Sequence, residues 1–561
     1  MSKNHIYAPD TTLATDETKV GELLALTRSG GAMLDSASAT TIGVIGEAIK
    51  NASDLLPARM TELLDKMEEK DRPVAVAAML DGIKRFEYEH GYTPSADMID
   101  AAIAQGMSVA DGSAKVLPNG YTLDAASSSF QSSPLSHQPN RITVAIVTGI
   151  SDSIPFGAYT PADIGSNEAL LAIVNSAAGS NFGAYKDGDI MDGVSSGKAY
   201  INSERQLTAA LAADRLTATF AFKTDVAGTG DAIPLIPTRT RIIISGFQVA
   251  AEINKNEKTA NRQIAGNVTI AGATYSITGS VAFAAGTGTL AFNPALPLGT
   301  VVGVSGFVDY EAKPLLAPIV KTSAESFSLF CTESRVLMQV TPGARSQAQN
   351  ELGTDFLTVA VNSARRQMAN ERYYTALGKV KAVAINTSKT FDFDAANQLL
   401  QKSRAQRWRD FASFLGEVSQ AVANTTMEYG ISMLYVGAKG AANFRTMGSD
   451  DFVPSGVEER PGVYRVGRYK NKLDVYYTPY HIVETDTDIE MIAIGRAAQV
   501  ARNPIVFSDA LAPTMIPLAI LADLKSGAAL YGRSLTEVNP HVPSAMGCAL
   551  IKVKNVDFLS A

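Results

Sequence analysis

Few residues of this chain are spaced for chemistry. Its five histidines, His5, His90, His137, His481 and His541, are scattered, and none has a carboxylate or cysteine at metal-ligand spacing. Surface or locally hydrogen-bonded rings are the expectation. Cys331 follows the apolar run FSLF at 327–330 and Cys548 stands beside Ala549 and Leu550, so both read as small core residues. The stretch DGVSSGKAY at 192–200 invites comparison with a phosphate-binding loop, but Asp192 occupies the opening glycine position and Ala199 the place of the magnesium-binding hydroxyl. Asp187, Asp189 and Asp192 are out of register with a calcium loop, since Met191 takes a ligand position, and a solvated acidic turn is expected. Gly228-Thr229-Gly230 and Gly286-Thr287-Gly288 read as hairpin turns, not cofactor loops. No G-x-S-x-G elbow, H-E-x-x-H or paired-cysteine motif occurs. No catalytic, cofactor-binding or metal-binding residue is therefore assigned, and no cofactor is expected.

The elements that would position any such residues fall into distinct stretches. Residues 17–107 read as helical. Met60, Leu63, Leu64 and Met67 share one helix face, Pro73 opens a second helix running through Phe86, and Thr93 with Pro94 reads as the start of a third. The run AASSSFQSSPLSHQPN at 125–140 reads as a linker. After it, Ile142, Val144 and Ile146 alternate with Thr143, Ala145 and Val147, which predicts a strand. Residues 154–197 are glycine-rich and read as an extended loop, apart from a short helix at 168–176, whose order would come from a neighbouring subunit.

Between 215 and 311 the strand signals are dense: RLTATFAFK, TRIIISGFQVAAEI, NVTIAGATYSITG and GTLAF carry β-branched and aromatic residues between turns. Residues 344–380 contain no proline and predict one continuous helix. Its apolar stripe runs through Leu352, Phe356, Val359, Ala360, Ala364 and Met368 and should face a sheet. A second helix is predicted over 394–424, with Leu399, Leu400, Phe411, Phe414, Leu415, Val418 and Val422 inward. Strands are predicted at 431–436, 463–466, 472–477 and 490–494. The expected organisation is a helical domain or arm at 1–124, the linker at 125–140, a strand and extended loop at 141–214, a β-rich domain at 215–311, a domain built on the long helix at 312–430, and an α/β domain with closing strands at 431–561.

Composition narrows the function classes. With 561 residues and 46% hydrophobic content the chain can bury several cores. Its 49 basic and 56 acidic residues give a net charge of -7, which supplies no excess of cations to neutralise a nucleic-acid backbone. Two cysteines in a chain of this size make no disulfide framework and fit folding in a reducing cytoplasm. The opening residues lack the pattern of a signal peptide, and no apolar run reaches the roughly 20 residues of a membrane span.

Four stretches, in order, resemble the HK97-like major capsid proteins of tailed phages and their large myovirus relatives. They are PFGAYTPADIGSNEALLAIVNSAAGSNFGAYKDGDIMDG (155–193), GFVDYEAKPLLAPIVKTSAESFSLF (306–330) leading through ESRVLMQV into the long helix, MLYVGAKGAANFRTM (433–447) with RVGRYKNKLDVYYTPYH (465–481), and NPIVFSDALAPTMIPLAILADLKSGAALYGRSLTEVNP (503–540). The resemblance implies an α+β HK97-like capsid fold: an N-terminal helical region, an extended loop, a peripheral domain with a long spine helix, and an axial domain, here with an inserted all-β domain. It implies a structural protein, not an enzyme, that forms hexamers and pentamers of an icosahedral head around double-stranded DNA without sequence-specific binding. Portal, scaffold, prohead protease and decoration proteins are the implied partners. The virion is the implied location, with assembly in the host cytoplasm and no membrane. No lysine or asparagine here matches the cross-linking chemistry of some family members. A tail sheath or tube subunit is the competing reading, and a hydrolase with a site assembled from distant residues is a further one.

Overall fold

The computed structural model describes residues 56–67, 69, 71–110, 138–162, 167–226, 228–253, 261–351, 356–395, 397, 402–518 and 526–556. The chain divides into two units, one of residues 1–173 with 326–561 and one of residues 174–325. Secondary structure is mixed α+β.

In the first unit, helices α1 (Ala58–Asp65), α2 (Arg72–His90), α3 (Ala96–Ala110) and α4 (Gln138–Ser151) pack together. Met60, Leu63, Leu64 and Met67 are buried, as their spacing predicts. Pro73 lies in the first turn of α2, where a missing N–H costs nothing, and Gly91 ends that helix at φ 75° with its N–H on the Glu87 carbonyl. The third helix begins at Ala96, later than Thr93-Pro94 predicts, with the Ser95 carbonyl accepting from the Met98 and Ile99 N–H groups. Residues 142–147 are helical, not a strand. The stretch ITVAIVTGI satisfies both periods, and burial decides: Ile142, Ile146 and Ile150, four residues apart, form one inward stripe on α4. The linker residues 125–137 lie outside the described residues.

Two short pieces correct the reading of 154–197 as a loop with little core of its own. Strand β1 (Ala158–Tyr159) and the residues before it bury Phe156, Ala158 and Tyr159 in the first unit. The predicted helix at 168–176 is instead part of strand β2 (Glu168–Ala178), whose Ala169, Leu171, Ile173, Asn175 and Ala177 are buried while Leu170 and Val174 are exposed. Further on, Phe182 and Tyr185 are buried in the second unit. Glycine content concealed this alternation and these four aromatic anchors.

The second unit holds β3 (Glu204–Thr208), β4 (Ala210–Leu211), β5 (Thr217–Ala221), β6 (Arg241–Ile244), β7 (Phe247–Glu252), β8 (Asn261–Ile270), β9 (Ala273–Ala282), β10 (Thr287–Asn293) and β11 (Val302–Phe307). They form one nine-stranded sheet in the order β3-β11-β6-β7-β8-β9-β10-β5-β4. Its core is a set of alternate residues including Phe220, Phe222, Ile242, Ile244, Ile277, Leu290 and Val304. The β8–β9 hairpin turns at Ala271-Gly272, with φ 51° and 83°, the left-handed pair that matches strand twist.

Strand β12 (Val320–Phe330) pairs with β2 in a two-stranded ribbon, and β13 (Thr332–Val340) leads back into the first unit. Helices α5 (Pro342–Glu351) and α6 (Phe356–Ala384) follow. The joint at 352–355, with Leu352 and Gly353, where the predicted helix would be continuous, lies outside the described residues, and so does the side chain of Phe356. Next come β14 (Lys389–Asp392), α7 (Arg404–Thr426), β15 (Ile431–Val436), α8 (Ala438–Arg445), β16 (Phe452–Pro454), β17 (Tyr464–Tyr469), β18 (Leu473–Tyr477), β19 (Ile489–Gly495), β20 (Ile505–Leu518), β21 (Ser526–Val538), α9 (Val542–Ala545) and β22 (Cys548–Lys554).

Strands β1, β20, β21 and β13 make a four-stranded sheet in that order, and β14-β22-β19-β15-β18-β17-β16 a seven-stranded one. Helix α6, 29 residues and about 43 Å long at 1.5 Å per residue, lies on β21 and β13, where Val361, Ala360, Ala364 and Met368 meet Met338, Ala528 and Leu530. Val359 is 54% exposed, contrary to expectation, because it stands about 200° around the helix from Val361, which carries the stripe. Farther along α6, Ala376, Leu377, Val380 and Ala384 join the core of the N-terminal helices and the seven-stranded sheet.

That sheet is covered on both faces, and period-two alternation divides its side chains. Met433 and Tyr435 of β15 join the core shared with α6, while Leu434 and Val436 join the core under α7 and α8. Helix α7 starts at Arg404, ten residues after the predicted 394, because Ser403 and Gln406 form a capping box there. Phe411, Leu415, Val418 and Val422 are buried as expected; Leu399 and Leu400 lie outside the described residues.

Candidate functional site

Among the described residues, a set of polar side chains gathers where the N-terminal helices, α6 and the two sheets of the first unit meet. Asp97, in the first turn of α3, is buried and accepts from the Ser95 hydroxyl at 2.5 Å, the Tyr159 N–H at 3.1 Å and Arg496 Nη2 at 2.5 Å. Arg496 also donates to the Pro155 carbonyl at 2.9 Å. A second clamp forms around Asp509 on β20. Arg372 of α6 meets it at 2.9 Å and Gln105 of α3 donates to it at 2.9 Å. The Arg372 guanidinium also reaches Thr536 and the Ser508 and Leu535 carbonyls, and its carbon lies 5.2 Å from the Phe507 ring centre. Burial opposes the charge on Arg372, and the Asp509 carboxylate beside it more than restores the balance, so its pKa rises.

Close to these clamps runs a chain of buried and half-buried aromatic rings. The Tyr373 and Tyr435 hydroxyls are 2.8 Å apart and those of Tyr92 and Tyr476 3.0 Å, and Tyr435 stacks on Tyr476. Burial pushes the Tyr92 hydroxyl up to about 12 and raises Tyr159, Tyr373, Tyr435 and Tyr476 as well. His90 sits at the end of this chain against Phe86, Tyr92 and Tyr476. Burial, and then the nearby Arg460 and Arg465, depress its pKa to about 3. Arg465 is held by Asp474 and lies over the Tyr92 ring. The clamp residues are bonded to one another, and among the described residues a hollow of about 40 Å3 lined by Gln105, Thr160 and Asp509 among others borders them. The arrangement can hold elements together; among the described residues it places no nucleophile beside a base facing a substrate-sized space.

The residues singled out from sequence are not brought together. His90 and His541 are buried, the latter with its Nδ1 2.7 Å from the Ser544 hydroxyl, and His481 is exposed; His5 and His137 lie outside the described residues. Cys548 is buried in β22, which pushes its thiol up to about 12. Cys331 is only half-buried, contrary to the core expectation, because the preceding β12 is largely exposed and Phe330 itself is 62% accessible. Lys198 lies 5.8 Å from the Tyr185 ring centre in an open loop. Asp187 pairs with Lys321, Asp189 accepts from the Lys186 N–H, and Asp192 from the Ser176 N–H, so the three carboxylates act separately. Gly228 and Gly286 do take the positive φ of turns. What sequence reading missed is Asp97, Arg496 and the tyrosine chain. Asp97, two residues after Ser95, is a helix-start signal, but nothing local ties it to an arginine 399 residues later.

No helix among the described residues is long and apolar enough to cross a membrane. No protein-family model matches the chain. No curated protein matches it either. Solved structures do. The capsid of jumbo bacteriophage PhiKZ is similar over 71% of this chain and 91% of its own, at 11% identity and a TM-score of 0.37. The capsid of Myoviridae phage XM1 is similar over 43% of this chain and 78% of its own, at 10% identity and a TM-score of 0.28. The SrpI encapsulin complex of Synechococcus elongatus PCC 7942 is similar over 43% of this chain and 81% of its own, at 9% identity and a TM-score of 0.29.

Proposed function

We propose that the chain is the major capsid protein of a tailed bacteriophage, with an HK97-like fold into which the β unit is inserted. The observation that carries this reading is the 29-residue helix α6 laid along the sheet of β13, β21 and β20 and continuing onto a seven-stranded α/β sheet. In this reading these elements serve as the spine helix, peripheral sheet and axial domain that the sequence resemblance implies. The committed, inward-facing polar clamps support a structural and not an enzymatic role. Net charge of -7 supports a wall around DNA and not a wrapper of it.

In this reading the subunits close hexamers and pentamers through heterologous contacts into an icosahedral head. Portal, scaffold or prohead protease, and decoration proteins are the partners, and assembly takes place in the host cytoplasm. The test is expression of the chain alone and with its phage's assembly proteins, followed by electron microscopy. Closed icosahedral shells are expected. Helical tubes would instead assign it to a tail sheath or tube, and a strict monomer under both conditions would overturn both readings.

A further inference from the structure

The second unit leaves one strand ladder unfinished. Residues 204–211 are one stretch that changes partner at Ala209: β3 pairs with β11, and β4 pairs with β5. On β4 the register is Ala210 opposite Thr219 and Leu211 opposite Ala218, with the Ala212 N–H donating to the Thr217 carbonyl. Continued in steps of two, that register sets Thr208 opposite Ala221 and Gln206 opposite Lys223 as the next hydrogen-bonding pairs. The ladder stops at Thr219 instead, because β3 has turned to β11.

The main-chain directions follow from bonds that do form. The Ala209 N–H donates to Val302 and the Val308 N–H to Ser203, so odd-numbered residues of this strand face β11. The N–H and C=O groups of Gln206 and Thr208 therefore point the other way. On the opposite strand the Phe222 N–H donates to Gly286, at the start of β10, which leaves Ala221 and Lys223 facing β3. Between these two lips opens a cleft of about 1150 Å3, lined by Arg205, Gln206, Thr208, Ala221 and Lys223 among others.

The cleft also carries positive charge that no carboxylate among the described residues neutralises, although the Arg205 guanidinium lies 4.6 Å from the Phe182 ring centre. Arg205 is 7% exposed, its terminal nitrogens donate only to main-chain carbonyls, and its Nε has no partner. Among the described residues neither Arg205 nor Lys223 makes an ion pair. The acid on the wall, Asp225, is committed to its own loop, accepting from the Thr229 and Gly230 N–H groups.

We propose that this cleft is a strand-acceptor slot. An extended segment of another protein, with small or β-branched side chains and an acidic residue directed at Arg205 and Lys223, adds between β3 and β5 and completes the ladder. Two opposed rows of main-chain groups that face each other across the cleft select a polypeptide, since only a backbone offers donors and acceptors on both sides at the repeat of a strand. The slot belongs to the β unit and stands whatever the whole chain assembles into.

The test uses the full chain and a fluorescein-labelled nonapeptide of alternating valine and threonine with one central glutamate. Saturable binding is expected, with hydrogen-exchange protection of the Gln206, Thr208, Ala221 and Lys223 amides. Affinity should fall at least tenfold when alternate peptide nitrogens are methylated, and also in Lys223→Glu. Thr208→Pro, which removes a donor facing the cleft and none facing β11, should weaken binding while circular dichroism stays unchanged. Equal binding of the methylated peptide, or binding without protection of these four amides, would overturn the proposal. So would protection that rises with protein concentration alone, because a second copy would then fill the slot.

Discussion

Asp97 and His90 show how single buried groups tie this chain together. Asp97→Ala leaves the Arg496 guanidinium with the Pro155 carbonyl and the Ser95 hydroxyl as its remaining partners. Removing one member of a buried pair costs several kcal/mol; because Arg496 keeps some access to water, a loss of about 3 kcal/mol is expected in urea denaturation at neutral pH. Arg372 should behave similarly toward Asp509. For His90 the sign follows from its depressed pKa. The unfolded ring gains a proton near its ordinary value of 6.5, whereas the folded ring does so only near 3. Its neutral form therefore contributes stability above pH 6.5 that is lost as the pH falls from 6.5 toward 3. His90→Gln should flatten the dependence of unfolding free energy on pH across that window by up to about one bound proton. An unchanged slope would show that His90 does not titrate between the two states.

At the scale of elements, helix contacts and caps decide where structure begins and how closely it packs. Gly149 of α4 crosses α3 so near Ala102 that a Cβ there would come 2.9 Å from the alanine methyl. Gly149→Val should cost about 1–3 kcal/mol through overpacking, measured as a lower denaturation midpoint. On α6, Leu377 is fully buried, and Leu377→Ala should cost about 2–5 kcal/mol. Ser403→Ala removes one half of the capping box and should cost about 1 kcal/mol while leaving the rest of α7 in place, checked by far-ultraviolet circular dichroism.

For the whole molecule, two units with separate cores imply two cooperative transitions. Phe222→Ala removes a buried ring from the β unit and should cost that unit about 3–5 kcal/mol. Scanning calorimetry should show one transition lowered and the other unmoved. A single transition that shifts as a whole would mean that the units unfold together.

What depends on local period and chemistry was readable from the residues alone. Met60, Leu63, Leu64 and Met67 on one helix face, the strands at 431–436 and 472–477, the dense strands of 215–311 and the turns at Gly228 and Gly286 were legible because burial of one face leaves a period of 3.6 or 2. Where two periods fit the same residues, as at 142–150, only the partners decided: Ile142, Ile146 and Ile150 had a helical core to enter. Likewise 154–197 concealed its anchors, because four aromatic rings separated by glycines have no period, and their cores come from distant stretches of chain. The clamps of Asp97 with Arg496 and of Arg372 with Asp509, and the stalled ladder at Thr219, belong to tertiary structure alone. Each joins residues whose partner is set by how strands and helices meet in space, and no local spacing encodes that meeting.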